Sequence, residues 1–190
     1  VRRKRKLSRL RKHRRCYGES IDERPVDVES RETFGHWEID TVIGSADSSE
    51  VLLTLDERMT RKRHIVKLPA KTAKAVEEGL KQVRKEYGKA WSKVFRTITC
   101  DNGSEFSSLP ELFTDTKIYY AHPYSAWERG TNEKQNSLIR RFFPKGKSFT
   151  SVSEKAISLV EDWINNLPRK FLEYHSPDEV FNSVLFDLAI

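Results

Sequence analysis

Three acidic residues stand where surface solvation does not account for them. Asp40 lies within Trp37-Glu38-Ile39-Asp40-Thr41-Val42, a strand-like run in which Asp is a disfavoured residue. Asp101 follows Phe95-Arg96-Thr97-Ile98-Thr99-Cys100 and precedes Asn102-Gly103. It therefore falls at the carboxyl end of a strand, where open α/β sheets present their sites. Asp-Asn-Gly is also a good turn former, a purely structural reason for the same residues. The third acid is Glu133, in Asn132-Glu133-Lys134-Gln135-Asn136. A helix capped by Asn132, with Gln135 completing the capping box, puts Glu133 in its first turn.

On that helix Leu138, Ile139, Phe142 and Phe143 form the expected buried side. Glu133, Asn136, Ser137 and Arg140 project from another side at steps of three to four residues. An acid, an amide and an arginine on one polar stripe suit a metal and a phosphate; an exposed salt-bridge face explains the spacing equally well. Two rivals remain open. Ser125-Ala126-Trp127-Glu128 is itself a capping-box pattern, which gives Glu128 a structural role. Glu38 shares a strand face with Asp40, two residues away, and points the same way.

Three carboxylates without a Cys or His cluster imply a hard cation with oxygen ligands, Mg²⁺ or Mn²⁺. Two such ions clamp the attacking and leaving oxygens of an in-line phosphoryl displacement. A polyanionic substrate is suggested independently by the N-terminus. Residues 1–15 hold ten Lys or Arg and no acid, a local charge of +10 within a chain of net charge +7, so the remainder carries −3. A basic block of this kind is a natural counter-ion for nucleic-acid phosphates, although a solvated tail or targeting patch has the same composition.

The elements that must position these acids are legible in outline. Residues 16–33 are polar, carry Pro25 and show no sustained period, so they read as a linker. His36–Ile43, Val51–Leu55 and Arg63–Leu68 read as three strands in meander order, with a turn over Asp56–Thr60. Ala73, Val76, Leu80, Val83 and Tyr87 define one helical face opened by Thr72 and stopped by Gly88. Phe95–Cys100 is a fourth strand, a short helix lies near Leu109–Phe113, and Lys117–Ala121 is a fifth strand. Helices follow over 132–143, 154–167 and 177–188. This is an α/β order built on a mixed five-stranded sheet flanked by helices. The expected organisation is a basic arm and linker at 1–33, a catalytic core at 34–150 and C-terminal helices packed on it at 151–190.

Composition excludes several classes. With 37% hydrophobic residues and 20 aromatics among 190 residues, the chain can build a core. No apolar run approaches a membrane span, and the basic N-terminus lacks the apolar stretch of a secretion signal. Cys16 and Cys100 are too few for a disulfide framework and lack zinc-site spacing, so a reducing, cytosolic setting is expected.

Three ordered motifs carry a family resemblance: Gly35-His36-Trp37-Glu38-Ile39-Asp40-Thr41-Val42, Asp101-Asn102-Gly103-Ser104-Glu105-Phe106, and the run from Pro123 through Trp127-Glu128-Arg129-Gly130 to Glu133. Together with Phe143-Pro144-Lys145-Gly146, Asn166–Lys170 and Ser176–Phe181, they resemble the catalytic core of the insertion-sequence-30 family of bacterial transposases over roughly residues 20–185. The resemblance implies a ribonuclease H-like, retroviral integrase-like fold with Asp40, Asp101 and Glu133 as the catalytic and metal-binding triad.

It further implies metal-dependent cleavage at transposon ends and strand transfer into target DNA. Mg²⁺ would serve, with Mn²⁺ as substitute and two ions when DNA is bound, Asp40 bridging both. Asn102, Arg129, Asn136 and Arg140 are the candidates for orienting DNA or the acids. The implied partner is double-stranded DNA, bound by a homodimer or larger assembly in the bacterial cytoplasm at the nucleoid, with no membrane. Two features depart from the family pattern. Thirty-one residues separate Asp101 from Glu133, a short spacing that suggests a trimmed loop around 107–117, and Ser137 stands where a basic residue is usual. No upstream helix-turn-helix unit is legible, so the chain is expected to be an excised catalytic portion. A metal-dependent nuclease of the same fold, or a non-catalytic nucleic-acid-binding module, remains the alternative.

Overall fold

In the computed structural model, which describes residues 17–123, 125, 128 and 130–188 and the backbone of Glu133, strands and helices alternate around one mixed sheet. The strands are β1 (Glu19–Ser20), β2 (His36–Ile43), β3 (Val51–Glu57), β4 (Arg63–Leu68), β5 (Thr97–Cys100) and β6 (Lys117–Tyr120). Their order across the sheet is β1-β6-β5-β2-β3-β4. β2, β3 and β4 form the expected antiparallel meander, and β5 and β6 add in parallel on its other side. The five expected strands are all present. The sixth, β1, comes from the segment read as linker and pairs parallel with β6.

That segment carries more than the strand. A short helix α1 (Asp27–Ser30) follows β1, Val28 is buried, and Arg24 donates to Thr99 Oγ1 at 3.0 Å. Its polar sequence hides this packing because one valine and one arginine give no period. The basic arm at 1–15 lies outside the described residues.

Alternation along the strands divides the interior in two. Trp37 and Ile39 of β2, and Val51, Leu53 and Leu55 of β3, face one core. That core is closed by α2 (Ala73–Tyr87) through Ala75, Val76, Leu80 and Val83, and by α3 (Trp91–Val94). Thr72 caps α2 by accepting from Ala75 N, and Gly88, at φ +52°, ends it as the sequence suggests. The short helix α4 (Leu109–Leu112) leads from β5 towards β6 and buries Leu109 in the same core.

The opposite face carries Val42, Leu52 and Ile65, covered by α5 (Gly130–Phe142) and α6 (Glu154–Asn166). Ile139 of α5 and Ile157, Val160 and Ile164 of α6 complete this second core. α6 also covers the edge strand β4. Asn165 exchanges two hydrogen bonds of 2.8 Å with the Arg63 backbone, and Glu161 accepts from Ile65 N at 2.7 Å. Residues four apart on a helix thus satisfy residues two apart on the strand, which blunts the edge against further pairing. α7 (Pro177–Asp187) opens on a full capping box between Ser176 and Glu179 and sends Phe181 into the first core.

Two local expectations are corrected here. α5 begins at Gly130, so Asn132 is inside its first turn rather than capping it. Phe142, expected on the buried side, is 44% exposed and packs edge-on against Trp163 with ring centroids 5.0 Å apart. Near its start α5 buries polar residues, Thr131, Asn132 and Gln135. The sheet beneath that end is itself polar, so amides rather than phenyl rings match it.

Candidate active site

Register decides what meets Asp40. β2 and β5 run parallel with Glu38 opposite Thr99, and Asp40 and Asp101 each follow two residues further along their chains. Asp101 is the first residue past the end of β5, so the parallel register carries both acids towards the same end of the sheet. Asp101 accepts from Gly103 N at 2.9 Å, which folds the Asp-Asn-Gly turn onto its own carboxylate. Asp40 Oδ1 accepts from Thr41 N at 2.9 Å.

A second carboxylate, Glu105, links the two segments. It is 4% exposed, accepts from Thr41 Oγ1 at 3.3 Å and pairs with Lys71 at 3.0 Å. Gly103 lies close beside it, and a Cβ there would stand 2.5 Å from Glu105 Oε2 and displace that carboxylate. In the sequence Glu105 is visible only as part of a motif. What marks it as structural, its burial against the residue after Asp40, depends on the fold.

α5 is fastened over β2 by its polar inner face. Asn136 Nδ2 donates to Asp40 Oδ2 at 3.1 Å, and Asn136 Oδ1 accepts from Arg63 Nη2 at 3.0 Å. A guanidinium has only donors, so the Arg63 contact fixes which way the amide points. Arg63 is itself clamped by Asp56 through bonds of 2.6 and 2.5 Å, with both side chains fully buried. Burial pushes the Asp56 carboxyl up, and the Arg63 charge pulls it back down. Asn132 Oδ1 accepts from Thr54 Oγ1 at 3.2 Å on the same face. The sequence reading places Asp56 in a turn, whereas it belongs to β3, so this network is not legible beforehand.

Both rival acids have other partners. Glu38 is fully buried, accepts from Arg58 Nη1 at 2.6 Å and accepts from the backbone N–H of Asn132 at 3.0 Å. Glu128 accepts from His122 N at 2.8 Å and holds His122 Nδ1 at 2.9 Å. That contact raises the His122 pKa. The capping box expected of Ser125 and Glu128 is therefore replaced by a clasp on His122, and the helix starts later.

Among the other expected contacts, Asn102 Nδ2 donates to the Ala121 carbonyl at 3.1 Å and ties the ends of β5 and β6 together. Arg140 Nη2 donates to the Ile43 carbonyl at 2.8 Å, which anchors its guanidinium at the end of β2. Burial lowers the Arg140 pKa. Asn136 serves Asp40. Arg129 lies outside the described residues, and Glu133 is placed by its backbone on α5, three residues before Asn136. Among the described residues no three His, Cys, Asp or Glu side chains form a metal-sized group, and the Glu133 side chain is not among them.

No family model matches the chain. The transposase for insertion sequence element IS4351 of Bacteroides fragilis is 41% identical over 171 residues, covering 87% of this chain and 50% of that protein. The transposase InsI for insertion sequence element IS30A of Escherichia coli K12 is 34% identical over 165 residues, covering 86% of this chain and 42% of that protein. This chain is homologous to insertion-sequence transposases. It spans about half the length of the curated relatives it matches. The catalytic core domain of BIV integrase superposes with a TM-score of 0.62 at 17% identity, over 83% of this chain and all of that one. The fold is thus the ribonuclease H-like fold of integrase cores, as the transposase resemblance implies. Among the described residues of this transposase homologue no helix is long and apolar enough to cross a membrane.

Proposed function

We propose that this chain is the catalytic part of a DNA transposase, an Asp-Asp-Glu enzyme that cleaves at transposon ends and joins the freed 3′-hydroxyl to target DNA. The observation that supports the reading is the parallel register of β2 and β5, which carries Asp40 and Asp101 towards the same end of the sheet, with the helix of Glu133 fastened to Asp40 by Asn136. Both steps are displacements at phosphorus. An oxygen of water, then of the 3′-hydroxyl, bonds to phosphorus as the old P–O bond breaks, so no protein nucleophile is required.

The donor set fits a hard divalent cation. Asp40 has one oxygen held by Thr41 N and the other by Asn136, the outer support that ligating carboxylates usually receive. Asp40, Asp101 and Glu133 would hold Mg²⁺, with Mn²⁺ as substitute and two ions when DNA is bound. When bound, the cation offsets the charge that grows on the phosphodiester oxygens. Arg140, Arg129 and Asn102 are proposed to orient DNA, and the ten cations of residues 1–15 to contact its phosphates. Joining two element ends calls for a homodimer or larger assembly on DNA, working in the bacterial cytoplasm.

The deciding experiment is strand joining on a pre-cut DNA end with Mn²⁺, using the chain alongside Glu133→Gln and Glu128→Gln. Joining that survives Glu128→Gln and is lost with Glu133→Gln is the expected result. The reverse pattern overturns the triad. Cleavage with no joining, in a chain shown to bind both metal and DNA, points instead to a nuclease.

A further inference from the structure

Resting on that reading, we infer that Glu38 is a positioning residue that sets Glu133 by anchoring the first turn of α5. The opening N–H groups of a helix have no partner within it and must find one elsewhere. α5 starts at Gly130, so the Asn132 N–H is one of these, and it donates to Glu38 Oε2 at 3.0 Å. A carboxylate at that end also complements the helix dipole. The neighbouring residue on α5 is Glu133.

The grip is double. Glu38 holds Asn132 and Asp40 accepts from Asn136. Four helical residues advance about 6 Å. Two strand residues advance about 6.6 Å. The two spacings match, so sliding α5 by one residue breaks both contacts together. Glu38 is engaged within the interior, since its other oxygen takes Arg58 Nη1 at 2.6 Å and the side chain is fully buried. Arg58 in turn donates to the Val28 carbonyl at 3.2 Å, which fixes it against the N-terminal segment. A buried ion pair of this kind contributes little net stability compared with apolar residues of equal volume. What apolar residues cannot supply is an acceptor for the Asn132 N–H.

The test separates anchoring from stability. Glu38→Gln is compared with the double variant Glu38→Met with Arg58→Leu, which removes the buried charges while keeping volume. The double variant is expected to stay folded at the assay temperature, with an unfolding midpoint lowered by the unpaired Asn132 N–H and Val28 carbonyl, and to keep the parent's DNA affinity. Its Mn²⁺ affinity by calorimetry and its joining rate at saturating DNA should each fall at least about tenfold. Parental metal binding and joining in that variant would overturn the inference. Amide exchange in the unmodified chain is an independent check. The Asn132 amide should exchange at least about tenfold slower than an unstructured amide, and exchange at the unprotected rate rejects the anchor whatever the variants do. Glu133→Gln runs beside them: if it joins normally, the catalytic reading fails, whereas its loss beside a fully active double variant removes only the role of Glu38.

Discussion

Asn136 donates to Asp40 across 3.1 Å, so an acid on the central strand β2 is oriented by a helix residue that lies 96 positions further along the chain. The same amide accepts from Arg63, itself held by Asp56, which leaves the contact little freedom.

Asn136→Ala should therefore act on Asp40 rather than on the fold as a whole. Loss of an outer hydrogen bond to a ligating carboxylate typically costs about 10- to 100-fold in metal affinity or activity. A stability loss of about 1 kcal/mol is expected from the unpaired Arg63 donor. Mn²⁺ titration and the joining rate, read beside a denaturant melt, check both parts; unchanged metal affinity would show that Asp40 keeps its place unaided.

The Asp56–Arg63 pair is buried on both sides, so breaking it should be the more damaging change. Asp56→Ala leaves an uncompensated guanidinium in the interior and should cost about 3–5 kcal/mol. Asp56→Leu with Arg63→Met should recover most of that. Urea unfolding of the three chains is the measurement, and a double variant as unstable as Asp56→Ala counts against the electrostatic explanation.

His36 gives the fold a pH dependence. Burial, reinforced by the nearby Arg96 charge, lowers its pKa from 6.5 to about 4. Between those values the unfolded chain binds a proton that the folded chain refuses, so stability rises with pH. The contribution is complete above pH 6.5 and is lost as pH falls towards 4, amounting to at most about 3 kcal/mol. Unfolding free energies at pH 7 and pH 4.5 should differ in this sense, and His36→Asn should flatten the difference.

Phe181 fills the first core from the last helix, with its ring 5.4 Å from Phe34 and 6.1 Å from Trp37. Phe181→Ala should cost about 3–5 kcal/mol through the cavity it leaves. The site lies on the other face of the sheet, so joining per folded molecule should be unchanged. A fall in specific joining at a temperature where the variant is fully folded would contradict that separation.

The sequence by itself determined what depends on neighbours along the chain. The meander of β2, β3 and β4 follows from alternation and turns, and α2 from a five-residue apolar stripe between Thr72 and Gly88. Asp40 and Asp101 were legible as acids in unusual places, and the ordered motifs identified their family. What only the tertiary structure decided is which groups meet. The parallel register that carries Asp40 and Asp101 towards the same end of the sheet joins strands some sixty residues apart, which no local period encodes. The start of α5 differs from the sequence expectation for the same reason: its open N–H at Asn132 is satisfied by Glu38 from a distant strand, not by a cap of its own. At the far end of α5, Ile139 with Leu138 and Phe143 faces the second core while Phe142 turns to Trp163 at the surface, a choice among apolar neighbours that the helical period leaves open.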